Sequence, residues 1–361
     1  MIRLMIVDDS ALMRRLLTEI FTAAGDFEIA VANDGVDALA KLDGFAPDVV
    51  TLDIHMPGMD GLTCLDRIMV QRPCPVVMVS SMTAEGAEET LEAMALGAVD
   101  FIEKPRGAVS LEIDAIAATL VDKVRAASQA RISRTMRLRE RVRAANSAVL
   151  GGARVGRVAL PAPSPPLDPS AMGLVLVGSS TGGPPALDAL LTGLPQDFPW
   201  PIVIAQHMPG TFTGPLARRL DRICAIEVRE VTATTPLLPG HAYIGKGDAD
   251  VILSRRAGAV VAMPAPSDPT LFWHPSVDRL VDSAMRAVAP ERLVGVLMTG
   301  MGTDGAAAMS RLKQRGGLTI AEAETTAVVW GMPGALVGMG GAALVRPLDE
   351  IAGELTALLC R

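Results

Sequence analysis

Short apolar runs alternate with helix-patterned segments along the first third of the chain. The runs are too short for helices, whereas segments between them, such as Ala11–Ala24 and Glu85–Leu96, carry apolar residues at helical spacing. This alternation predicts a parallel, doubly wound sheet that binds ligands outside the carboxyl ends of its strands. The predicted strands are Leu4–Val7, Phe27–Ala32, Val49–Leu52, Val76–Val79 and Asp100–Ile102.

The same alternation returns after residue 171, with apolar runs at Leu174–Val177, Ile202–Ala205 and Val294–Met298. We therefore expect an α/β chain with two doubly wound domains, 1–122 and 171–361, joined by a linker over 123–170. The linker is rich in arginine and then in proline, which predicts a stiff, extended spacer at its end. Its arginines form either a docking strip for an acidic surface or a solvated, partly helical segment.

Composition narrows the possible functions. The net charge of -7 and the aromatic content of 3% argue against nucleic acid as a partner. Four scattered cysteines without a C-x-x-C pair indicate reduced thiols, and no signal peptide precedes Asp8, so we expect a cytoplasmic protein. The uncharged stretch Thr325–Val345 contains Pro333 and several glycines, which predicts loops around a short packed helix and no insertion into a membrane.

Polar residues follow the predicted strands of the first domain. Three carboxylates meeting at one sheet edge repel one another, and a hard cation such as Mg²⁺ relieves that repulsion. A lysine and a serine nearby could hold a tetrahedral anion, so the set predicts a carboxylate that takes up a phosphoryl group. Singly, each residue could instead be a helix cap, a loop residue or a surface charge. The five residues are Asp8, Asp9, Asp53, Ser80 and Lys104.

The first 120 or so residues resemble the response-regulator receiver family, which has a flavodoxin-like fold. The resemblance lies in residues 7–10 (Val-Asp-Asp-Ser), 52–61, 79–80 and 104–105 (Lys-Pro). It implies that Asp53 is the phosphoacceptor, that Asp8 and Asp9 join it in holding Mg²⁺, and that Ser80 and Lys104 contact the phosphoryl group. It also implies that Phe101 turns inward on phosphorylation.

The second domain carries a candidate nucleophile. Gly178, Ser180 and Gly182 have the G-x-S-x-G spacing, in which the glycines permit the tight turn that exposes a serine hydroxyl at a strand end. The same residues would also suit a glycine-rich turn that binds phosphate or only reverses the chain. The other strand ends bear on this choice.

Those strand ends supply the partners that a reactive serine needs. His207 could accept the serine proton and Asp304 could orient the imidazole, while glycines around Met301 leave backbone N–H groups free for an oxyanion. The alternatives are a buried structural histidine and a capping aspartate. Of the other histidines here, His241 is expected in a turn and His274 in a secondary role near the cleft.

The order serine, histidine, aspartate differs from that of α/β-hydrolases. Five segments instead make the second domain similar to the chemotaxis protein-glutamate methylesterase family (CheB), although Ser179 stands where alanine is common and Thr303 where the family varies. The resemblance implies that Ser180 is the nucleophile, His207 the general base, Asp304 its orienting partner and the Met301 N–H an oxyanion donor. The five segments are 178–183, 206–209, 274–278, 299–305 and 330–334.

The resemblance also implies the activity. It is hydrolysis of glutamate γ-methyl esters on cytoplasmic helices of chemoreceptors, with release of methanol and deamidation of certain glutamines. The esterase chemistry needs no cofactor, and a histidine kinase supplies the phosphoryl group that activates the enzyme. Two rivals are a receiver with a non-catalytic output, such as DNA binding or receptor docking, and a hydrolase for an unrelated small ester or amide.

Overall fold

The computed structural model describes residues 1–80, 83–104, 110–131 and 173–360. The chain divides into two compact units between residues 149 and 150. Most of the expected linker, including the arginines beyond residue 131 and all of its prolines, lies outside the described residues. The boundaries of the linker therefore stay a prediction.

The first unit is built on five parallel strands in the order β2-β1-β3-β4-β5, the flavodoxin-like order. All five predicted strands and both predicted helices are present. The strands are β1 (Ile2–Val7), β2 (Phe27–Ala32), β3 (Val49–Asp53), β4 (Val76–Ser80) and β5 (Asp100–Glu103). The helices are α1 (Ala11–Ala24), α2 (Gly35–Phe45), α3 (Gly61–Gln71), α4 (Ala84–Ala95) and α5 (Ser110–Ser128).

Local chemistry fixes where these helices begin. The side chains of Ser10, Asp34 and Asp60 each accept a hydrogen bond from an N–H group of the first helical turn, as N-cap residues do.

Strands β3 and β4 are buried along their whole length, as expected for strands with helices on both faces of the sheet. Strands β1 and β3 are parallel neighbours in the sheet, so their carboxyl ends lie side by side.

The last helix of this unit passes residue 122, where the linker was expected to begin. Two basic residues counted with the linker belong to it: Lys123 pairs with Asp100 at 3.1 Å and Arg125 with Asp26 at 2.8 Å. These two cations are therefore engaged within the first unit.

The second unit has a parallel sheet of seven strands in the order β15-β14-β13-β6-β7-β10-β8. The direction of winding reverses at β6, so the chain leaves β6, β7 and β13 along one edge of the sheet. These strands are β6 (Leu174–Ser179), β7 (Ile202–Gln206), β8 (Glu227–Val231), β10 (His241–Gly245), β13 (Leu293–Leu297), β14 (Leu318–Glu322) and β15 (Leu344–Arg346).

Six helices flank this sheet among the described residues. Their apolar faces and the sheet form a core in which Leu176, Val203, Leu280 and Leu297 are fully buried. The helices are α6 (Gly183–Thr192), α7 (Gly210–Ile223), α8 (Val277–Ala287), α9 (Ala306–Gln314), α10 (Met332–Gly338) and α11 (Leu348–Leu359).

A small antiparallel sheet was not predicted. Strands β9 (Thr235–Pro236), β11 (Asp250–Arg256) and β12 (Ala259–Ala265) form it, and its hairpin turns at Ala257 and Gly258, both with positive φ. Such turns favour Asn-Gly or Asp-Gly, so Ala-Gly gives little signal in a sequence.

Two smaller expectations have different outcomes. His241 opens strand β10, so its assignment to a turn was wrong; the turn ends at Gly240. The stretch Thr325–Val345 does form loops around a short helix, α10. In the described part of the chain no helix combines the length and apolar character needed to cross a membrane.

Candidate active site

The edge of the first sheet gathers two buried carboxylates around one lysine. The Lys104 ammonium lies 2.7 Å from Asp53 Oδ2 and 3.3 Å from Asp8 Oδ2. Burial and the nearby charge of Asp53 raise the pKa of Asp8. Burial alone would lower the pKa of Lys104, but its two acidic partners outweigh burial and raise it. The two carboxylates thus carry more negative charge than the single Lys104 ammonium neutralises.

Asp9 completes the acidic group. Oxygens of Asp8, Asp9 and Asp53 lie within 4.8 Å of one another. Oxygen ligands at this spacing are what Mg²⁺ takes from proteins, so the donor set fits that ion. The three predicted carboxylates and Lys104 are therefore brought together.

Ser80 lies at the expected strand end, whereas Phe101 is already inside the unit. Ser80 ends β4 and is buried, but its hydroxyl bonds to helix α4, at 2.8 Å from the Thr90 hydroxyl and 3.2 Å from the Gly86 carbonyl. Phe101 is already 3% exposed, with the Lys123 ammonium 5.1 Å from its ring centre. The ring thus already has the inward position that was expected only after phosphorylation.

Ser180 stands on a sharp turn between β6 and α6. Gly182 takes the left-handed conformation (φ 76°) and helix α6 begins at the next residue. The Ser180 N–H donates to the Thr299 carbonyl at 3.0 Å, and the Ser179 carbonyl accepts from His207 N–H at 3.0 Å. The turn is thus tied to the strands on both sides.

His207 follows β7 at the position next to Ser180. Residues Ser179 and Gln206 are partners in the β6–β7 register, so their successors lie on neighbouring strand ends, about 5 Å apart in a parallel sheet. His207 Nε2 lies 2.8 Å from Asp304 Oδ2, and Nδ1 has no hydrogen-bond partner among the described residues. The imidazole therefore has one occupied and one available nitrogen.

The start of helix α8 holds the Asp304 carboxylate. Backbone N–H groups of Val277 and Asp278 donate to it at 2.7 and 3.0 Å, and the Ser276 hydroxyl donates at 3.1 Å. Burial alone would raise the pKa of Asp304, but its bond with His207 and these N–H bonds outweigh burial and lower it. The carboxylate thus stays ionised in a nearly buried place.

Trp273 covers one face of the His207 ring. The two rings are stacked, with centres 5.4 Å apart and planes within 7°. The indole nitrogen also lies close to Gly302, in the loop after β13. This contact was missed in the sequence, since nothing in the pattern of residues 266–276 predicts a stacking partner.

The loop after β13 brings Met301 beside the serine. A Cβ atom at Gly300 would lie 2.8 Å from the Ser180 Cβ and would clash with the Met332 sulfur, so only glycine fits there. The Met301 N–H makes no hydrogen bond within the described chain, as an oxyanion donor requires before substrate binds. The predicted serine, histidine, aspartate and Met301 are all at one edge.

Two polar residues brace this edge and were missed as a pair. The Ser179 hydroxyl donates to Gln206 Oε1 at 2.6 Å, and the Gln206 amide donates to the carbonyls of Ser180 and His207 at 3.0 and 3.1 Å. The hydroxyl of Ser179, at a position where the related family commonly has alanine, thus orients the Gln206 side chain.

His274 lies outside the triad and is separated from Asp304 by three successive hydrogen bonds. Its Nδ1 lies 2.9 Å from Asp250, which also accepts the Ser276 N–H at 2.7 Å. Since Ser276 donates to Asp304, His274 is linked to the triad through the anchor of helix α8 and not by direct contact.

Comparisons with known proteins agree with this geometry. The family model for the CheB methylesterase matches residues 175–355, and that for the response regulator receiver domain matches residues 4–114. A protein-glutamate methylesterase/protein-glutamine glutaminase of Rhodospirillum rubrum is 55% identical over 361 residues, covering 100% of this chain and 97% of its own. The chain belongs to the CheB methylesterase family. A similarly named protein of Rhodopseudomonas palustris is 56% identical over 360 residues, covering 98% of this chain and 97% of its own.

A solved structure supports the fold of the CheB unit. The CheB methylesterase catalytic domain of Thermotoga maritima superposes with a TM-score of 0.51 at 38% identity, covering 52% of this chain and 99% of its own. The prediction of a receiver followed by a parallel-sheet hydrolase domain is confirmed.

Replacing Asp304 with asparagine tests the anchored carboxylate. The asparagine amide has one accepting oxygen in place of two, so some donors around it lose their partner. It also lacks the negative charge that stabilises the imidazolium form of His207. We therefore expect kcat to fall by about 10⁴-fold. Steady-state kinetics and thermal unfolding of the full chain measure the effect, with Asp282→Asn as a control at a half-exposed ion pair on helix α8. A variant with normal kcat would exclude Asp304 from the mechanism.

Proposed function

We propose that this enzyme hydrolyses glutamate γ-methyl esters on the cytoplasmic helices of chemoreceptors and releases methanol, in the adaptation step of chemotaxis. The single observation that carries the proposal is the pair His207–Asp304 at the strand end next to Ser180. The two relatives described above are named both for methyl ester hydrolysis and for a glutaminase activity. We therefore include deamidation of specific receptor glutamines.

In the first half of the reaction the Ser180 oxygen attacks the ester carbonyl carbon. Because Nε2–H of His207 donates to Asp304, the lone pair is on Nδ1, and this atom takes the serine proton. In the chymotrypsin triad the carboxylate holds the other ring nitrogen, so the imidazole is turned the opposite way here. The charged imidazole then faces the ionised Asp304.

The tetrahedral intermediate carries a negative oxygen, to which the Met301 N–H donates. The carbon–oxygen bond to the methoxy group breaks, and the proton on His207 goes to that oxygen, giving methanol and a Ser180 acyl ester. Water then attacks the acyl ester with His207 again as base, which frees glutamate and Ser180. With glutamine the leaving group is ammonia and the remaining steps are the same.

The first unit supplies regulation. A histidine kinase transfers a phosphoryl group to Asp53. Lys104, whose ammonium lies 2.7 Å from the Asp53 carboxylate, would contact the phosphoryl oxygens. Asp8, Asp9 and Asp53 would hold Mg²⁺, which neutralises charge on the carboxylates and on the phosphoryl oxygens. To reach the phosphoryl group, the Ser80 hydroxyl must leave Thr90 and Gly86, and this exchange alters helix α4.

Phosphorylation can activate the esterase only through a difference in free energy between the two receiver states. Each tenfold of activation requires about 1.4 kcal/mol of that difference. We propose that the unphosphorylated receiver restrains the catalytic unit and that phosphorylation releases it. Neither nucleic acid nor a membrane span has a part in this scheme.

Replacing Ser180 with alanine removes the nucleophile. We expect methanol release from methylated receptors to fall by about 10⁴- to 10⁶-fold, with the fold intact. The neighbouring variant Ser179→Ala is the matched control and should keep most of the activity, because it removes only the bond to Gln206. Near-normal methanol release by Ser180→Ala would remove serine from the mechanism. Release of no methanol by the wild type would point to a different ester or amide.

Replacing Asp53 with asparagine removes the phosphoacceptor. A small acyl phosphate with Mg²⁺ should label the wild type and raise its rate of methanol release, and chelation should abolish both effects. The variant should be neither labelled nor stimulated, while its basal rate stays that of the unphosphorylated wild type. Asp60→Asn, an acidic N-cap in the same loop, serves as control. Equal labelling of Asp53→Asn and wild type would rule out this site.

A further inference from the structure

Glu322 is a fully buried carboxylate that the esterase mechanism does not use. It ends β14 and is 0% exposed. Oε2 accepts the Thr299 N–H at 2.8 Å and Oε1 accepts the Thr326 hydroxyl at 3.0 Å. Burying a carboxylate without a paired cation destabilises the fold, so the hydrogen bonds that it makes must offset that cost.

Thr299 connects that carboxylate to the reacting groups. Its carbonyl accepts the Ser180 N–H at 3.0 Å, and its hydroxyl donates to the Thr181 carbonyl at 2.9 Å. Two residues further on is Met301, the proposed oxyanion donor. Thr299 therefore fixes the distance between the nucleophile turn and the loop that receives the oxyanion.

The main chain of Glu322 contacts a second segment that lies beside the same loop. Its carbonyl accepts the indole N–H of Trp330 at 2.9 Å, and Trp330 pairs with Gly300 in an isolated parallel bridge. Glu322 thus contacts Thr299 through its side chain and Trp330, the bridge partner of Gly300, through its backbone.

We infer that Glu322 is a positioning residue of the methylesterase, whose carboxylate sets the placement of Ser180 relative to the Met301 N–H through Thr299. The inference rests on the proposed function, since it concerns the same site. Glu322 touches no reacting atom and acts only through the residue that it holds.

The charged groups around Glu322 are engaged elsewhere. Arg346 is its partner in the β14–β15 register, but the guanidinium pairs with Glu354 on α11 at 2.8 Å. Lys313 on α9 donates to the carbonyls of Gly340 and Ala342. Glu324, two residues on, is acidic as well. With no cation bonded to it among the described residues, burial raises the pKa of Glu322 to about 7, against the downward effect of its two hydrogen bonds.

Three variants of the full chain test the inference, all assayed with methylated receptor under one phosphodonor condition. Glu322→Ala removes the acceptor for Thr299, and we expect kcat to fall between 10- and 100-fold with KM within threefold, since small displacements in an active site cost about that much. Glu322→Gln keeps an acceptor and should restore kcat to within about threefold of the wild type at pH 6, where both side chains are neutral.

The matched control is Ser283→Ala. The Ser283 hydroxyl is buried and accepts the Leu253 N–H at 2.9 Å, so its loss also leaves a buried N–H without an acceptor, but away from the loop. It should lower the unfolding temperature about as much as Glu322→Ala does, with kcat and KM unchanged. If Glu322→Ala behaves in the same way, with normal kcat, Glu322 is only structural and the inference is wrong.

The glutamine variant tests the inference even if the alanine variant fails to fold. The wild-type carboxyl ionises near pH 7 and then accepts the Thr299 N–H more strongly, whereas glutamine does not titrate. The ratio of kcat for Glu322→Gln to that of the wild type should therefore fall by about threefold or more from pH 6 to pH 8.5. A ratio that stays constant, although the stability measurements show the carboxyl titrating in this range, would overturn the inference. A wild type that releases no methanol would overturn the proposed function instead.

The pH dependence of the unfolding temperature measures the titration of the Glu322 carboxyl independently of catalysis. Since the pKa of Glu322 in the folded chain lies above its ordinary 4.5, this carboxyl stabilises the fold fully below pH 4.5, and the contribution is lost as pH rises to about 7. The unfolding temperature of Glu322→Gln should gain on that of the wild type through this window, while the difference between Ser283→Ala and wild type stays constant. An unchanged difference for Glu322→Gln would show that Glu322 does not titrate there and would contradict the pH arm.

Discussion

The catalytic edge depends on how one carboxylate, that of Asp304, is held at the start of a helix. Two backbone N–H groups and a serine hydroxyl of helix α8 satisfy it, and they keep it ionised although it is nearly buried. The carboxylate also accepts a hydrogen bond from Nε2 of His207. Because the helix fixes the carboxylate, it determines the tautomer and the orientation of the imidazole. The placement of the imidazole beside Ser180 thus depends on where helix α8 begins.

A doubly wound sheet makes this arrangement possible in both units. In each, the winding reverses at one strand, and the residues that follow the neighbouring strands face the same crevice. The first unit fills the crevice with carboxylates and a lysine, and the second fills it with a serine, a histidine and an aspartate. The two chemistries thus differ in side chains placed on one shared backbone plan.

The sequence predicted the elements that have a periodic pattern of apolar residues and the functional residues that directly follow a strand. The parallel strands, helix α1, the acidic set around Asp53 and the meeting of Ser180 with His207 all follow from short apolar runs and the residues after them. Contacts made across long separations carry no such signal: Trp273 stacks on a ring 66 positions earlier, and Glu322 reaches Thr299 from another strand. The Ala-Gly hairpin was missed because its turn lacks the usual residues.

The stacked indole of Trp273 has a consequence for the order of events. It closes one face of the His207 ring, Asp304 occupies Nε2, and the imidazole side chain is 3% exposed. A proton on Nδ1 therefore has one direction to travel, towards whatever occupies the space above Ser180. Methanol must vacate that space before water can enter it, so departure of the first product precedes arrival of the second reactant at the same nitrogen.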